Sequence, residues 1–355
     1  MEKAKKFLNH IFIDGLSGMA LGLFATLIVG TILAQIAALI GGAAGEYLNI
    51  IASVAKTMTG AGIGIGVAHK FRQSPLVTVS AGVAGMVGSF ASKIISGAIL
   101  VEGAVTLTGI GEPLGAFIAA VVAIEIGSRI SGKTKVDILV TPIVTILSGS
   151  IVGLLVGPPI SGFMTALGDL INWGTIQQPV LMGVIVSVVM GMVLTLPISS
   201  AALGVILGLS GIAAGAATIG CSAQMIGFAV ASYRENKFGG FIAQGIGTSM
   251  LQVPNIVRKP VIWLPPIITS AILGPIASKV LEMTNNATGS GMGTSGLVGQ
   301  IMTFQTMTAE GASPGYTMVL ILVMHFVAPA VITLILSELF RKKGWIQYGD
   351  MALDM

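Results

Sequence analysis

The side chains best suited to bind a ligand lie in one polar stretch of an otherwise apolar chain, residues 235–260. This stretch follows 63 residues, 170–232, that include no Asp, Glu, Lys or Arg. Its uncharged hydroxyl and amide side chains are Gln244, Thr248, Ser249, Gln252 and Asn255. Such groups donate and accept hydrogen bonds but are not general acids or bases, so they suit the binding of a neutral polar solute.

The same stretch cannot form an ordinary membrane-spanning helix. Glycines and Pro254 interrupt it well before it reaches the about 20 apolar residues that a span needs. Irregular backbone at membrane depth persists only where protein or a water-filled cavity satisfies its N–H and C=O groups. We therefore predict a re-entrant hairpin that lines a substrate site.

A second interruption, LTLPISSAALG at residues 194–204, carries hydroxyls beside a proline. A proline kink whose hydroxyls merely satisfy the backbone would have the same pattern. Two interrupted apolar segments in one half of the chain instead favour a transporter binding site. The predicted substrate-binding residues are Thr195, Ser199, Ser200, Thr248, Ser249, Gln252 and Asn255. We predict no catalytic residue, no metal site and no cofactor.

Composition indicates the protein class. Hydrophobic residues make up 54% of the 355 residues and charged residues only 9%, whereas globular proteins have about 25% charged residues. The expected fold is an all-α polytopic membrane protein with about 8–10 transmembrane helices, re-entrant hairpins and broken helices. The net charge of +4 comes from basic clusters at the ends of apolar runs, which indicates orientation in a bilayer and excludes nucleic-acid binding as the function.

Charge also predicts the topology. Residues 1–14 form a basic, amphipathic start, and Arg341, Lys342 and Lys343 follow the last apolar run, so both termini are expected in the cytoplasm. The predicted parts are an N-terminal half at 1–178, a C-terminal transport half at 179–343 and a short cytoplasmic tail at 344–355. The single cysteine, Cys221, excludes an intramolecular disulfide.

Two further boundaries follow from local composition. The span that begins at Ile138 is expected to end at Pro158 and Pro159, because proline cannot continue the helical hydrogen-bond ladder. Residues 285–295 are rich in Gly, Ser and Thr, which predicts a loop on the outer side.

Several motifs in order resemble the membrane (IIC) component of phosphoenolpyruvate-dependent sugar phosphotransferase systems, closest to the fructose branch and divergent from it. IGVAHKFRQSPLVTVSAGVAG at 65–85 resembles an inner loop and the next span of that family. The stretch 112–160, from EPLGAF to VGPPI, resembles its Gly-Ala span, basic loop and following span. LPISSAA lies where the family has a GGPxNKAA-type break. The resemblance covers about residues 55–280.

The resemblance also assigns positions in the polar stretch. GTSMLQVPNIVRKP at 247–260 is similar to the family motif GITEGAIPFAxxDP, with Gly247, Pro254 and Pro260 coinciding. The family glutamate that contacts the phosphoryl-accepting sugar hydroxyl falls at Met250. The Asn-Lys of the other break falls at Ser199 and Ser200. The resemblance further implies a homodimer, with the N-terminal half as dimer surface, and separate IIA and IIB partner proteins.

Two functions stay open at this point. The first is a permease of the bacterial plasma (inner) membrane that translocates a small polar solute, a carbohydrate, by alternating access and without efficient phosphorylation. The second is a membrane sensor that keeps the IIC transporter fold and signals to a partner. A passive channel is disfavoured, because the sequence has no ring of charges and no repeated filter.

Overall fold

The structure is a computed structural model that describes residues 10–175 and 177–353. The chain divides into two compact units, Met1–Met164 and Thr165–Met355. Sequence analysis placed the boundary between the halves at residues 178 and 179. The first nine residues of the expected amphipathic start lie outside the described residues, and His10 to Asp14 are helical.

Helices account for most of the described chain. In unit 1 they are α1 (His10–Ile40), α2 (Gly42–Thr57), α3 (Thr59–Lys70), α4 (Pro75–Ser89), α5 (Ala91–Ile95), α6 (Pro113–Ile130) and most of α7 (Asp137–Thr175), whose last residues belong to unit 2. In unit 2 they are α8 (Pro179–Thr195), α9 (Ser200–Ile206), α10 (Gly211–Ala231), α11 (Tyr233–Ile242), α12 (Val253–Arg258), α13 (Pro260–Val280), α14 (Ala287–Ser290), α15 (Val298–Ala309) and α16 (Pro314–Lys342). A two-stranded ribbon, β1 (Leu100–Val101) and β2 (Ala104–Val105), is the one sheet in the described residues.

The predicted class, an all-α polytopic membrane protein, is confirmed. Among the described residues, six helices are long and apolar enough to cross a membrane. The α2–α3 pair, bent by 52°, adds a seventh candidate if it forms one span. Two shorter apolar helices, α4 and α8, accompany them.

The expectation that a span ends at Pro158 and Pro159 is wrong, because α7 runs through both prolines to Thr175. Two adjacent prolines remove only two N–H donors, and the rest of the ladder continues. The helix therefore persists where its surroundings tolerate the freed carbonyls.

Unit 1 has close helix contacts, and one of its helices, α4, begins with a side-chain cap. Ser74 precedes Pro75 at the start of α4, and its hydroxyl accepts a hydrogen bond from the Val77 N–H. The same hydroxyl lies 2.9 Å from that of Ser131, which follows α6. Proline suits the first helical position because that N–H would have no partner in the helix.

Unit 2 is built around α10. In the most apolar 18-residue stretch of this helix, 89% of the residues are buried. The helix packs against α8, α13 and α16. Small residues make up much of this helix, which permits contact on every side. The broken segments of the chain lie against the same helix.

Candidate functional site

The first break, residues 196–199, separates α8 from α9. Helix α8 ends at Thr195 because Leu196 turns to an extended conformation (ψ 159°) immediately before Pro197. The residue before a proline is disfavoured in the helical region for steric reasons, which accounts for the end of the helix. Thr195, Ser199 and Ser200 are all buried at this break.

The second break, residues 243–252, follows α11 and occupies the polar stretch singled out from the sequence. Residues Ala243–Gly247 form a π-helical turn, Thr248 is extended (φ −161°), and Ser249–Gln252 form a 3₁₀ turn before α12. The Thr248 hydroxyl accepts a hydrogen bond from the Met250 N–H at 3.1 Å and so caps that turn. Gln244, Thr248, Ser249, Met250, Gln252 and Asn255 are all buried.

The first two breaks are in direct contact. The hydroxyls of Thr195 and Ser249 lie 2.8 Å apart. Thr195 also lies 3.3 Å from the side-chain carbonyl of Gln224 on α10, which accepts a second hydrogen bond from the Trp263 indole N–H at 2.8 Å. Two breaks that are 54 residues apart in sequence therefore meet in one buried polar cluster on α10.

A third break, residues 291–297, was missed by sequence analysis. The expectation of a loop at 285–295 is wrong where residues 287–290 form α14, and Asn285, Ser290, Thr294 and Ser295 are all buried. Gly293 lies so close to α10 that an added Cβ would be 2.7 Å from the Cys221 carbonyl carbon. The signal was the Gly, Ser and Thr content that also marks the other breaks, and it was taken to indicate solvent exposure.

Hydrogen bonds attach the third break to the rest of the site. The Ser200 hydroxyl donates to the Gly291 carbonyl at 2.7 Å, which joins the first and third breaks. The Thr294 hydroxyl donates to the Gly245 carbonyl, which joins the third and second breaks. Asn285 donates to the Thr218 hydroxyl of α10 at 2.7 Å. All three breaks are therefore connected to one another through buried polar groups.

Several buried polar atoms around α10 have no hydrogen-bond partner within the described residues. They are the Ser222 hydroxyl, the Gln224 side-chain nitrogen and the hydroxyl of Ser295 in the third break. Buried polar groups are nearly always hydrogen-bonded, so atoms of this kind are suited to meet a ligand or a water molecule. Sequence analysis named none of the three.

The predicted residues Gln252 and Asn255 form hydrogen bonds with neighbouring side-chain amides and with the C-terminal tail. The Gln252 side-chain nitrogen donates to the carbonyls of Gln244 and Met351, and that of Asn255 donates to the carbonyls of Gln252 and Ala352. Their partners thus include the tail that follows α16. Among the described residues, the cluster of Thr195, Ser249, Gln224 and Trp263 includes no charged side chain. Within residues 10–175 and 177–353, no group of His, Cys, Asp and Glu is arranged to hold a metal ion.

The comparison with protein families agrees with the motifs. A family model described as "Phosphotransferase system, EIIC" matches residues 13–353. Among curated proteins, none matches the chain. The resemblance to the IIC component is confirmed at the level of this family.

Proposed function

This chain belongs to the EIIC family of the phosphotransferase system, and on that premise we propose that it carries a small neutral carbohydrate across the bacterial plasma membrane by alternating access. Members of this family are the sugar-specific membrane components that work with IIA and IIB proteins. The proposed site comprises the three breaks and the face of α10 between them. The observation that carries the proposal is the contact between Thr195 and Ser249, which unites two discontinuous segments at one buried polar cluster.

The chemistry of the cluster suits a carbohydrate. A sugar that leaves water must exchange its hydrogen bonds for protein ones, since an unpaired buried hydroxyl costs about 1–3 kcal/mol. Thr195, Ser199, Ser200, Thr248 and Ser249 offer neutral donors and acceptors. An ionic substrate is disfavoured, because no charged side chain lies in the cluster to balance its charge.

The unpaired atoms of α10 and the third break extend the proposed set. Ser222, Gln224 and Ser295 each carry a polar atom that forms no hydrogen bond within the described chain. Bonds to a substrate would satisfy those atoms without first breaking a protein contact. Gln252 and Asn255 remain in the proposed set, with the restriction that one amide hydrogen of each is engaged by the tail.

These unpaired atoms give a test that separates binding from folding. Ser222→Ala and Ser295→Ala remove hydroxyls that stabilise nothing in the protein, so stability is expected to change little. Sugar affinity is expected to fall about tenfold for each variant, equivalent to about 1.4 kcal/mol. The measurement is ligand-induced thermal shift with a panel of hexoses, pentoses and sugar alcohols, followed by uptake into vesicles.

The matched control is Ser187→Ala on α8, whose buried hydroxyl donates to the Ser270 carbonyl at 2.8 Å. That variant should lose stability and keep sugar affinity. Unchanged affinity in both Ser222→Ala and Ser295→Ala would remove α10 and the third break from the site. Binding without uptake would favour the sensor function over the permease.

We also propose that the sugar is not phosphorylated efficiently. The residue at the family glutamate position is Met250, which is buried and can neither accept a proton nor orient a hydroxyl strongly. General acid or base assistance contributes typically 10²- to 10⁴-fold in rate, and its loss should leave transport uncoupled from phosphorylation. The assay uses protein in vesicles with a cognate phosphorylated IIB protein and the identified sugar. Uptake of unmodified sugar is expected, and rapid accumulation of a sugar phosphate would refute this point.

A further inference from the structure

The segment after the last helix folds back onto unit 2. We call residues 345–353 the strap. Two of its apolar side chains are almost fully buried, Ile346 at 2% and Met351 at 1% exposure. They join a cluster with Phe228 of α10, Ile256 of α12 and Ile262 of α13. A segment of this length that buries two large apolar side chains is docked rather than solvated.

The strap takes up the last amide hydrogen that Asn255 and Gln252 could each offer to a substrate. A side-chain amide nitrogen carries two hydrogens. Gln252 directs its two to Gln244 at 2.8 Å and to the Met351 carbonyl at 3.0 Å. Asn255 directs its two to Gln252 at 2.9 Å and to the Ala352 carbonyl at 2.8 Å. While the strap is docked, neither residue has a hydrogen left to donate.

Further contacts hold the two ends of the strap. Asn236 of α11 donates to the Met351 carbonyl and accepts from the Leu353 N–H, both at 2.8 Å. Lys259, just before α13, forms an ion pair with Asp350 at 2.8 Å. At the base of the strap, Arg341 pairs with the buried carboxylate of Glu235 at 2.8 Å, and that carboxylate also accepts from the Gly349 N–H.

The segment held by the strap is bounded by breaks at which its backbone could turn. On one side Lys237 has φ 53° and ψ −157°, a strained conformation for a residue with a side chain, and the π-helical turn follows. On the other side Lys259 leaves the helical region before Pro260. Strained residues and π-helical turns of this kind often accompany functional movement.

We propose that the strap is a latch: docked on Gln252, Asn255 and Lys259, it holds the second break closed toward the side of the membrane at which Arg341 lies. Release of the strap opens that side and makes one amide hydrogen each of Gln252 and Asn255 available to the substrate. This inference rests on the proposed transport function, because a latch has meaning only where the site alternates between two sides.

The ion pair between Lys259 and Asp350 gives a reversible way to weaken the latch. The reporter is Ser249→Cys in a Cys221→Ala background, which removes the single native cysteine. In oriented vesicles without sugar, a membrane-impermeant maleimide added on the strap side measures how open that side is. Lys259→Glu and Asp350→Lys are each expected to raise the labelling rate about fivefold, equivalent to about 1 kcal/mol. Combining the two substitutions restores the attraction with reversed charges and should return the rate to within about twofold of the parent.

The control is Lys279→Glu at the opposite end of α13, which changes the charge equally and should label like the parent. Single variants that label at the parental rate would overturn the latch, and so would a charge-swapped pair that stays open. A single variant that misfolds is recognised because the pair then recovers both folding and closure. The readout needs no sugar, so a chain that fails to bind any carbohydrate would contradict the proposed function and leave this result intact.

Discussion

The two units hold their helices together differently. In unit 1 the closest contacts are between backbones at glycine: a Cβ at Gly22 would lie 2.1 Å from the Gly62 carbonyl oxygen, and one at Gly64 would lie 2.1 Å from that of Ala81. Unit 2 has such contacts too, and it adds buried hydrogen bonds between distant side chains, including Thr195 with Ser249 and Thr269 with Thr333. Unit 2 is thus both close-packed and extensively hydrogen-bonded.

This difference favours unit 1 as a structural scaffold and unit 2 as the location of the binding site. In a bilayer the lipid is as apolar as the side chains, so helices associate through close packing and hydrogen bonds. A solute cannot replace a close backbone contact at a glycine. A hydroxyl or amide partner can be exchanged for a sugar hydroxyl. We therefore expect conformational change and substrate binding to occur in unit 2. Unit 1 is expected to unfold rather than to adopt a second conformation.

The largest effect is expected from a single methyl group in unit 1. Gly64→Ala places a Cβ against the Ala81 backbone, so α3 and α4 must move apart. Overpacking of this kind costs about 3 kcal/mol when the obstacle is backbone. Thermal unfolding of the purified protein in detergent measures the loss.

Gly162→Ala in α7 is the matched control, because no atom lies within 4 Å of the added Cβ. There alanine should raise stability by about 0.5–1 kcal/mol, as expected for glycine in a helix. The folded fraction of Gly64→Ala should bind sugar with parental affinity if the site belongs to unit 2. Equal stability of the two variants would show that the close glycine contacts do not stabilise unit 1.

Part of this architecture could be predicted from the composition and from the positions of prolines alone. Long apolar runs determine the membrane class, and Pro197 and Pro254 mark two breaks because their backbone consequences are local. Cytoplasmic placement of both termini and homodimerisation stay predictions. The seven proposed site residues also stay a prediction, although the structure brings Thr195 and Ser249 together and joins Ser200 to the third break.

The rest depends on contacts between residues far apart in sequence. The same Gly, Ser and Thr content occurs in solvated loops and in buried breaks, so residues 291–297 could not be distinguished from a loop without α10 beside them. Gln224 and Ser222 lie in an apolar run that carries no local signal. The strap was missed for a related reason, because Met351 and Ile346 are buried in a cluster whose other members include Phe228, Ile256 and Ile262, far earlier in the sequence.

The smallest expected change in the free energy of unfolding concerns the hydrogen bond between Thr195 and Ser249. This bond also gives the sharpest test of the difference between the two units. Thr195→Val and Ser249→Ala, made singly and together, form a double-mutant cycle. Without sugar the coupling free energy of unfolding is expected to be about 0.6 kcal/mol, the average for side-chain hydrogen bonds between membrane helices.

With saturating sugar the same cycle should be additive to within about 0.3 kcal/mol, because each hydroxyl then bonds to the substrate instead of to its neighbour. Ser187→Ala combined with Thr195→Val should be additive in both conditions, since the Ser187 hydroxyl bonds to the carbonyls of Val184 and Ser270. A coupling that persists unchanged under saturating sugar would mean that the Thr195 and Ser249 bond is as permanent as a glycine contact. Unit 2 would then differ from unit 1 only in the chemistry of its packing, and substrate hydrogen bonds would have to form at the unpaired atoms of Ser222, Gln224 and Ser295, with no exchange of protein bonds.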